Sequence, residues 1–563
     1  MKPDITRDTF AAQKHFSRVI RQQGRVDVDA DSNEQTSILL HYLRTLAMDL
    51  IGPYAAPVMA PGFRLTKDSN ESLLISAGRY YVDGILVENE ASRLYSEQPY
   101  NPLPDNDPLT KALIDKQQNA GYWVYLDVWE RHVTSIEDDS IREKALGGPD
   151  TCTRAKVTWQ VRALDASKNA RNERRNKRQE WLTNKRTTLE TRLANDNLSP
   201  LVQAKLQAQL DKVNSQLDAL NKPEPQDIAT ACSFLLDYVF PVSDASLGAR
   251  LDPGPQIVDA CVISPESKYT RGENQLYRVE VHRGGVAGEA TFKWSRDNGS
   301  LATGWLGTSG FDLEVADARG FASGNWVELI DDVAELRGLP GVLVRVAKVQ
   351  GAALSVDPDS VQNSTEMHWS EDLVNPKLRR WDHFETEDIA LEADGSILIK
   401  ETPIGTSDDE ASWMNLEDGI QVQFAEGGEY RSGDYWLIPA RVATGNIEWP
   451  ASESDSFGAI TAHLEPHGVV HHYAPLGFVN WPNQKLEIES CNCEFEPASS
   501  CFASGSVAVG ASLLRRNTQI MFPEQQPQRS TRQPRTRTTD RTASRTSTRG
   551  TTRKSTGDVT PKP

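Results

Sequence analysis

The chain has 563 residues, a formal net charge of −18 from 61 Lys+Arg against 79 Asp+Glu, and 38% apolar side chains. That length fits roughly three to four domains of about 150 residues, and so acidic a chain is not built to hold nucleic acid along its whole surface. Its 13 tryptophans exclude disorder throughout, its 6 cysteines are too few for a disulfide scaffold, and no apolar run reaches the roughly 18 residues of a membrane-spanning helix.

The first ten residues, Met1 to Phe10, hold no apolar run of the kind a secretory signal peptide carries. The expectation is cytoplasmic assembly with reduced thiols. A short helix is expected around Lys14–Gln22. A longer one is expected over Asn33–Ile51, capped by Asp31 or Ser32, with Ile38, Leu39, Tyr42, Leu43, Leu46, Ala47, Leu50 and Ile51 at helical spacing and Gly52-Pro53 as its stop.

Strand signals follow. Leu73–Ile75 and Tyr80–Glu88 contain Asp83-Gly84, a hairpin turn. Tyr122–Glu130 and Lys156–Arg162 alternate with period two, as half-buried strands do. Residues 163–223 then read as two antiparallel helices inserted into a β domain. Ser199-Pro200 starts the second, whose Leu206, Leu210, Val213, Leu217 and Leu220 step by four and three as a coiled-coil seam does. Leu182, Leu189 and Leu193 of the first arm pair with that seam. The first arm carries nine cations between residues 168 and 192, either a projecting docking arm or an ordinary solvated face.

β signals resume at Leu276–His282, Thr291–Ser295 and the Asn298-Gly299 turn. Short strands at Trp326–Ile330, Val342–Val349 and Ala353–Val356 read as a small barrel. Ile420–Phe424 and Tyr435–Pro439 belong to a second β block, and Val507–Leu514 is the last strand signal. The expected class is mainly β and multidomain, small barrel or sandwich modules with an N-terminal helical segment, an inserted antiparallel helical hairpin and a disordered C-terminal tail. The expected boundaries are 1–60 helical, 61–162 and 224–310 the two parts of one β domain, 163–223 the hairpin, 311–360 the small barrel, 361–480 the second β domain, 481–522 a Cys-containing segment and 523–563 the tail.

The tail reverses the charge. Residues 525–563 carry ten cations against two anions, a net charge of +8, which leaves −26 for the remainder. Arg529, Arg532, Arg535, Arg537, Arg541, Arg545, Arg549, Arg553 and Lys554 lie among Thr, Ser, Pro and Gln with almost nothing to bury. They are candidate contacts for an anionic partner or surface, in a salt-sensitive way, against the alternative of a merely solvated extension.

The chain has no Walker loop, G-x-S-x-G elbow, H-E-x-x-H or EF-hand loop. His463, His467, His471 and His472 are candidate metal ligands by spacing on a helix, but Pro466 and Gly468 favour an extended segment that splits them across two faces. Cys491, Cys493 and Cys501 are candidate zinc thiolates or disulfide partners, without the C-x2-C knuckle of a strong zinc signal. No cofactor is expected. Acidic runs such as Glu137-Asp138-Asp139 and Asp408-Asp409-Glu410 leave a glycoside-acting enzyme open, and Trp123, Trp129, Trp294 and Trp436 are either a sugar platform or core.

Several stretches carry a resemblance: Asp4-Ile-Thr-Arg-Asp-Thr-Phe10, Tyr125-Leu-Asp-Val-Trp-Glu-Arg-His132, Ala145-Leu-Gly-Gly-Pro-Asp-Thr151, Phe292-Lys-Trp-Ser-Arg-Asp-Asn-Gly299, Leu416-Glu-Asp-Gly-Ile420, Gly433-Asp-Tyr-Trp-Leu-Ile-Pro-Ala-Arg441 and His471-His-Tyr-Ala-Pro475. Together they resemble a bacterial family defined by a domain of unknown function, whose members occur beside genes of phage-tail-like contractile injection systems. The resemblance covers most of residues 1–480, outside the helical insertion and the basic tail. It implies a non-enzymatic structural role at a baseplate periphery, fibre or anchor, with other subunits of the particle as partners, and it transfers no catalytic residue. A polysaccharide-acting enzyme or a carbohydrate-binding adhesin is the alternative.

Overall fold

The computed structural model describes residues 1–100, 103–104, 106–115, 121–195, 198–221, 232, 245–252, 269, 271–362, 367–386, 389–403, 412–455 and 458–496. The chain is mainly β, with several sheets, a closed barrel and, among the described residues, five α-helices: α1 (Asp29–Ile51), α2 (Pro108–Asp115), α3 (Lys168–Leu193), α4 (Pro200–Leu220) and α5 (Asp332–Leu336). Val507–Leu514 and the 523–563 tail lie outside the described residues.

The first core forms around the strand Gly121–Val133, which pairs antiparallel with Arg154–Asp165 on one side and His471–Asn480 on the other. The chain therefore returns to its first core after residue 470. A second sheet, of Tyr54–Pro57, Gly78–Val82, Ile85–Asn89 and Glu494–Phe495, contributes Tyr80 and Val87 to the same core as Phe63, Trp159 and Trp481. The central strand is closed on both faces rather than half-buried. Tyr125, Asp127 and Trp129 are buried as well as Val124, Leu126 and Val128, because Asp127 lies 2.6 Å from His471 Nδ1 and 3.3 Å from Arg162 Nε.

The second core lies between two sheets. One runs Ile397–Leu398, Thr291–Ser295, Gln275–Arg283, Tyr435–Arg441, Asn446–Ile447; the other runs Glu401–Thr402, Ile420–Ala425, Leu247–Leu251, His463–Leu464. Phe292, Trp294, Phe424 and Trp436 fill the space between them. The third core is the closed barrel of Ala302–Ser309, Asp312–Val315, Ala353–Val356, Val342–Gln350, Trp326–Ile330 and Lys377–Trp381. Ala302–Ser309 pairs with Lys377–Trp381 to close the ring.

The hairpin of α3 and α4 starts as its sequence dictates. The Ser199 hydroxyl accepts from the Val202 amide at 3.2 Å and Pro200 occupies the first turn. Leu206, Val213 and Leu217 of α4 bury against Leu182 and Leu189 of α3, and Ile460 closes the cluster from the β body. Three of the cations of α3 face the β body rather than solvent, while Lys177 stays on the solvated side, paired with Glu173. Arg178 donates to Glu429 at 2.7 Å, Lys185 to the Gly427 carbonyl at 2.8 Å, and Arg192 pairs with Glu426.

The N-terminal region departs from expectation in three ways. Lys14–Gln22 forms no α-helix; a single 3-10 turn spans Ala12–Lys14. The helix α1 begins at Asp29 with no side-chain cap, because the residue at the cap position is Val28, which has no side-chain acceptor; the Asp29 carboxylate accepts the Thr6 amide and hydroxyl, each at 2.8 Å, and so ties the preceding segment to the helix. Its apolar side chains are mostly in solvent. The stop is as expected: the Gly52 amide donates to Met48 at 2.8 Å with φ at 92°. The Asp83-Gly84 turn also forms, with positive φ at both residues, and a Cβ on Gly84 would lie 2.3 Å from the Arg44 carbonyl oxygen, so glycine there lets α1 sit on the hairpin.

Candidate functional site

The histidine candidates do not converge. His463 pairs in register with Gly248. His467 forms a bridge with Tyr435 and packs its ring 5.5 Å from that ring. His471 sits beside Asp127, and His472 Nδ1 lies 2.9 Å from Asp83 Oδ2. The extended segment splits them as alternation requires, and no shared ion is addressed. Cys491 is bonded to Cys232, so it has no thiolate to offer a metal, and this pair departs from the expectation of reduced thiols. Cys493 is exposed and free. Cys501 and the basic residues Arg529, Arg532, Arg535, Arg537, Arg541, Arg545, Arg549, Arg553 and Lys554 lie outside the described residues.

The motif residues meet instead in a buried charge junction. The segment Phe292-Lys-Trp-Ser-Arg-Asp-Asn-Gly299 supplies Lys293, Arg296 and Asn298 to it. Lys293, on the second core, donates to Glu328 of the barrel and lies 3.5 Å from Glu280 and 4.4 Å from the centre of the Trp381 ring. Trp381 donates its indole N–H to the other Glu328 oxygen at 2.9 Å. Arg278 donates to Glu280 at 2.6 Å, to Asn298 at 3.1 Å and to the Met1 carbonyl at 3.0 Å. Asn298, held at φ 58°, donates to the Pro3 carbonyl at 2.8 Å. Lys2 adds a contact of 3.2 Å to Glu280. Arg296 grips Glu417 with two hydrogen bonds of 2.9 and 2.8 Å.

A second knot joins the barrel to the first core. Glu137, Asp332 and Glu335 bring carboxylate oxygens within 4.8 Å of one another, a spacing a cation could use. The cation is already part of the chain. Lys377 Nζ lies 2.6 Å from Glu137, 3.3 Å from Asp332 and 2.5 Å from Glu335, and Arg131 pairs with Asp332. The three acids are therefore a lysine cage rather than a metal centre.

Burial and pairing set the ionisation. Burial alone would raise the Glu328 carboxyl, but Lys293 and His282 beside it hold it down at about 2. Glu335 is likewise pushed up by burial and brought well below the usual range by Lys377 and Lys2. Burial lowers Lys2 to about 8 despite Glu280. Burial, with Arg379 and Lys293 respectively, lowers His132 to about 3 and His282 to about 4. At neutral pH the junction is a set of charged pairs with neutral histidines packed among them, each acid facing a cation. The aromatic candidates are core: Trp129, Trp294 and Trp436 are buried, and Trp123 packs against Phe478 with ring centroids 5.0 Å apart. Of the acidic runs, Glu137 is committed to Lys377, Asp138 accepts the Ser140 amide at 3.0 Å and Asp139 accepts from Arg142 at 2.8 Å. Asp408, Asp409 and Glu410 lie outside the described residues.

One apolar surface stays largely open among the described residues. On α1, Leu39, Leu43, Leu46 and Leu50 step by four, three and four along one line and are 51%, 56%, 41% and 75% exposed, flanked by exposed Leu40 and Tyr42. The opposite side of the helix holds the chain: Ala30 and Ile38 are buried, and Arg44 pairs with Glu130 at 2.9 Å. Where α1 faces the preceding segment, Phe10, Phe16, Ile38, His41 and Tyr42 line a cavity of about 500 Å³. The largest apolar patch on a protein surface is often a functional contact surface.

The motif residues and the whole length of the chain match one family, described as a family of unknown function (DUF6519), over residues 1–559. The chain belongs to that family. The match runs through both the helical hairpin and most of the basic tail, which the sequence resemblance leaves to this chain alone. No curated protein matches the chain. Among solved structures, it is similar to the crystal structure of TssK at 10% identity, covering 65% of this chain and 99% of that one, with a TM-score of 0.14. A superposition at that score carries no argument about fold or role. The signal that could have revealed the junction is the charge set inside apolar strands: Lys293 in Phe-Lys-Trp, Glu328 in Val-Glu-Leu, Lys377 beside Leu378.

Proposed function

We propose that this chain is a non-enzymatic structural or attachment component of a phage-tail-like contractile injection particle. The observation that carries an assembly role is the leucine face of α1, which the fold holds in place by its other side and leaves 41% to 75% open among the described residues. The particle itself is suggested by the family resemblance of the motifs. The charge junction supports the non-enzymatic part of the reading: its acids and lysines are engaged with one another, and the motif residues serve to lock the barrel, the second core and the N-terminal segment together. In this reading the basic tail, Arg529 to Lys554, reaches an anionic partner or surface, and deleting residues 525–563 abolishes salt-sensitive binding without changing the melting temperature.

The test is purification and negative-stain imaging of native particles from cells with and without this chain. The expected result is co-purification of the chain with the particle and a visible loss of density, or loss of particles, when it is absent. Particles unchanged in composition and shape would overturn the proposal.

A further inference from the structure

The four leucines of α1 say more than that something covers them. Steps of four, three and four over residues 39–50 follow the 3.5-residue period by which one helix meets another, so the occupant is a helix lying along α1. The seam is symmetric about its middle. Reversing the helix places Leu39 opposite Leu50 and Leu43 opposite Leu46, so two copies related by a twofold axis fill each other's layers. The flanks permit it: Leu40, Tyr42 and Ala47 are uncharged, and the flanking charge Asp49, one heptad after Tyr42, lies opposite Leu40 in an antiparallel pair, about 13 Å along the axis from its counterpart. The ends decide the direction. Asp29 and Asp31 crowd the first turn; a parallel pair would bring two acidic turns together, whereas an antiparallel pair separates them and opposes the helix dipoles. Leu39, Leu40, Tyr42, Leu43, Leu46 and Leu50, 41% to 75% open, form one continuous apolar strip of the kind that makes the core of an interface.

We infer that the chain self-associates through an antiparallel pair of α1 helices, one from each of two copies, with Leu43 of one against Leu46 of the other. This rests on the reading that α1 is an assembly surface and names its partner as a second copy of the same chain.

The test is sedimentation of the full chain across the micromolar range. Wild type is expected as a dimer. Leu43→Glu is expected to weaken the association by about 100-fold or more, since it places a charge in an apolar seam, with the melt and circular dichroism of the monomer unchanged. Leu39→Glu, one layer out, repeats the test should the first variant fold poorly. Leu43→Glu combined with Leu46→Lys sets opposite charges face to face only in the antiparallel pair, so it is expected to dimerise more tightly than Leu43→Glu alone. A monomeric wild type overturns the inference, as does a dimer indifferent to both single variants; a double variant weaker than the single overturns the antiparallel direction. Failure here is separable from failure of the proposed function. A monomer that Leu43→Glu still removes from the particle means that α1 meets a different subunit, whereas a dimer whose deletion leaves particles unchanged defeats the particle role and keeps the pair.

Discussion

The hairpin of α3 and α4 and the helix α1 carry nearly the same message in sequence and opposite fates in structure. Leu206, Leu210, Val213, Leu217 and Leu220 repeat the four-three spacing of Leu39, Leu43, Leu46 and Leu50. In the hairpin, the chain supplies the answering helix a few residues away, and Leu206 and Leu182 are fully buried. On α1 the chain supplies support from behind, through Gly84 and Glu130, and among the described residues no answering helix in front. A leucine stripe at this spacing calls for an apolar surface to cover it and leaves open whether that surface belongs to the same molecule. The same division holds for charge: the junction around Lys377 and Lys293 is answered within the chain, and its deep burial makes it structural.

The largest effect that would break this contrast is removal of a buried cation. Lys377→Ala leaves Glu137, Asp332 and Glu335 facing one another, and it is expected to cost about 3–5 kcal/mol of stability in urea denaturation; a loss below 1 kcal/mol would mean the cage is solvated. Next, Leu206→Ala in the hairpin is expected to cost about 2–5 kcal/mol, read from the same experiment. Acid should act on the junction and spare the seam. His132 and His282 have folded values of about 3 and 4, below their ordinary 6.5, so the unfolded chain takes up protons first as pH falls. The stability they contribute is complete above about 6.5 and is lost progressively as pH falls towards 4. Glu328, depressed to about 2, adds its loss below its ordinary 4.5. The urea midpoint is therefore expected to fall continuously from pH 7 to pH 4, and a flat profile would contradict the buried, paired state of these groups. The smallest effect is on the other side of the comparison. Leu43→Ala should change monomer stability by no more than about 0.5 kcal/mol, while measurably loosening the dimer.

Much of the fold was legible from periodicity. The turns at Asp83-Gly84 and Asn298-Gly299, the cap at Ser199 and the seam of α4 all depend on neighbours close in sequence, and each formed; Lys156–Arg162 formed its strand, but Thr158 and Gln160 are buried beside Trp159 and Val161, so it is not half-buried. What was not legible depends on partners far away. That the strand over residues 121–133 is closed on both faces follows from His471, 344 residues from Asp127. The helix starts at Asp29, ahead of the expected Asp31 or Ser32 cap, where Thr6, 23 residues earlier, donates to the Asp29 carboxylate and holds the first turn. Lys14–Gln22 has helical composition but too little apolar surface to dock, and a helix so short does not persist alone. For the site, spacing brought four histidines near in sequence, but strand geometry sends them to separate partners. The residues that do converge, such as Lys293 with Glu328 and Lys377 with Glu137, are 35 and 240 positions apart.

Hydrogen exchange of the full chain over a dilution series sets the two seams side by side. If α1 is an interface between copies, amides across Asp29–Ile51 gain protection as concentration rises and lose it on dilution, while those across Pro200–Leu220 stay protected throughout. Equal exchange of α1 at every concentration, in the free chain and in the assembled particle alike, would contradict the account.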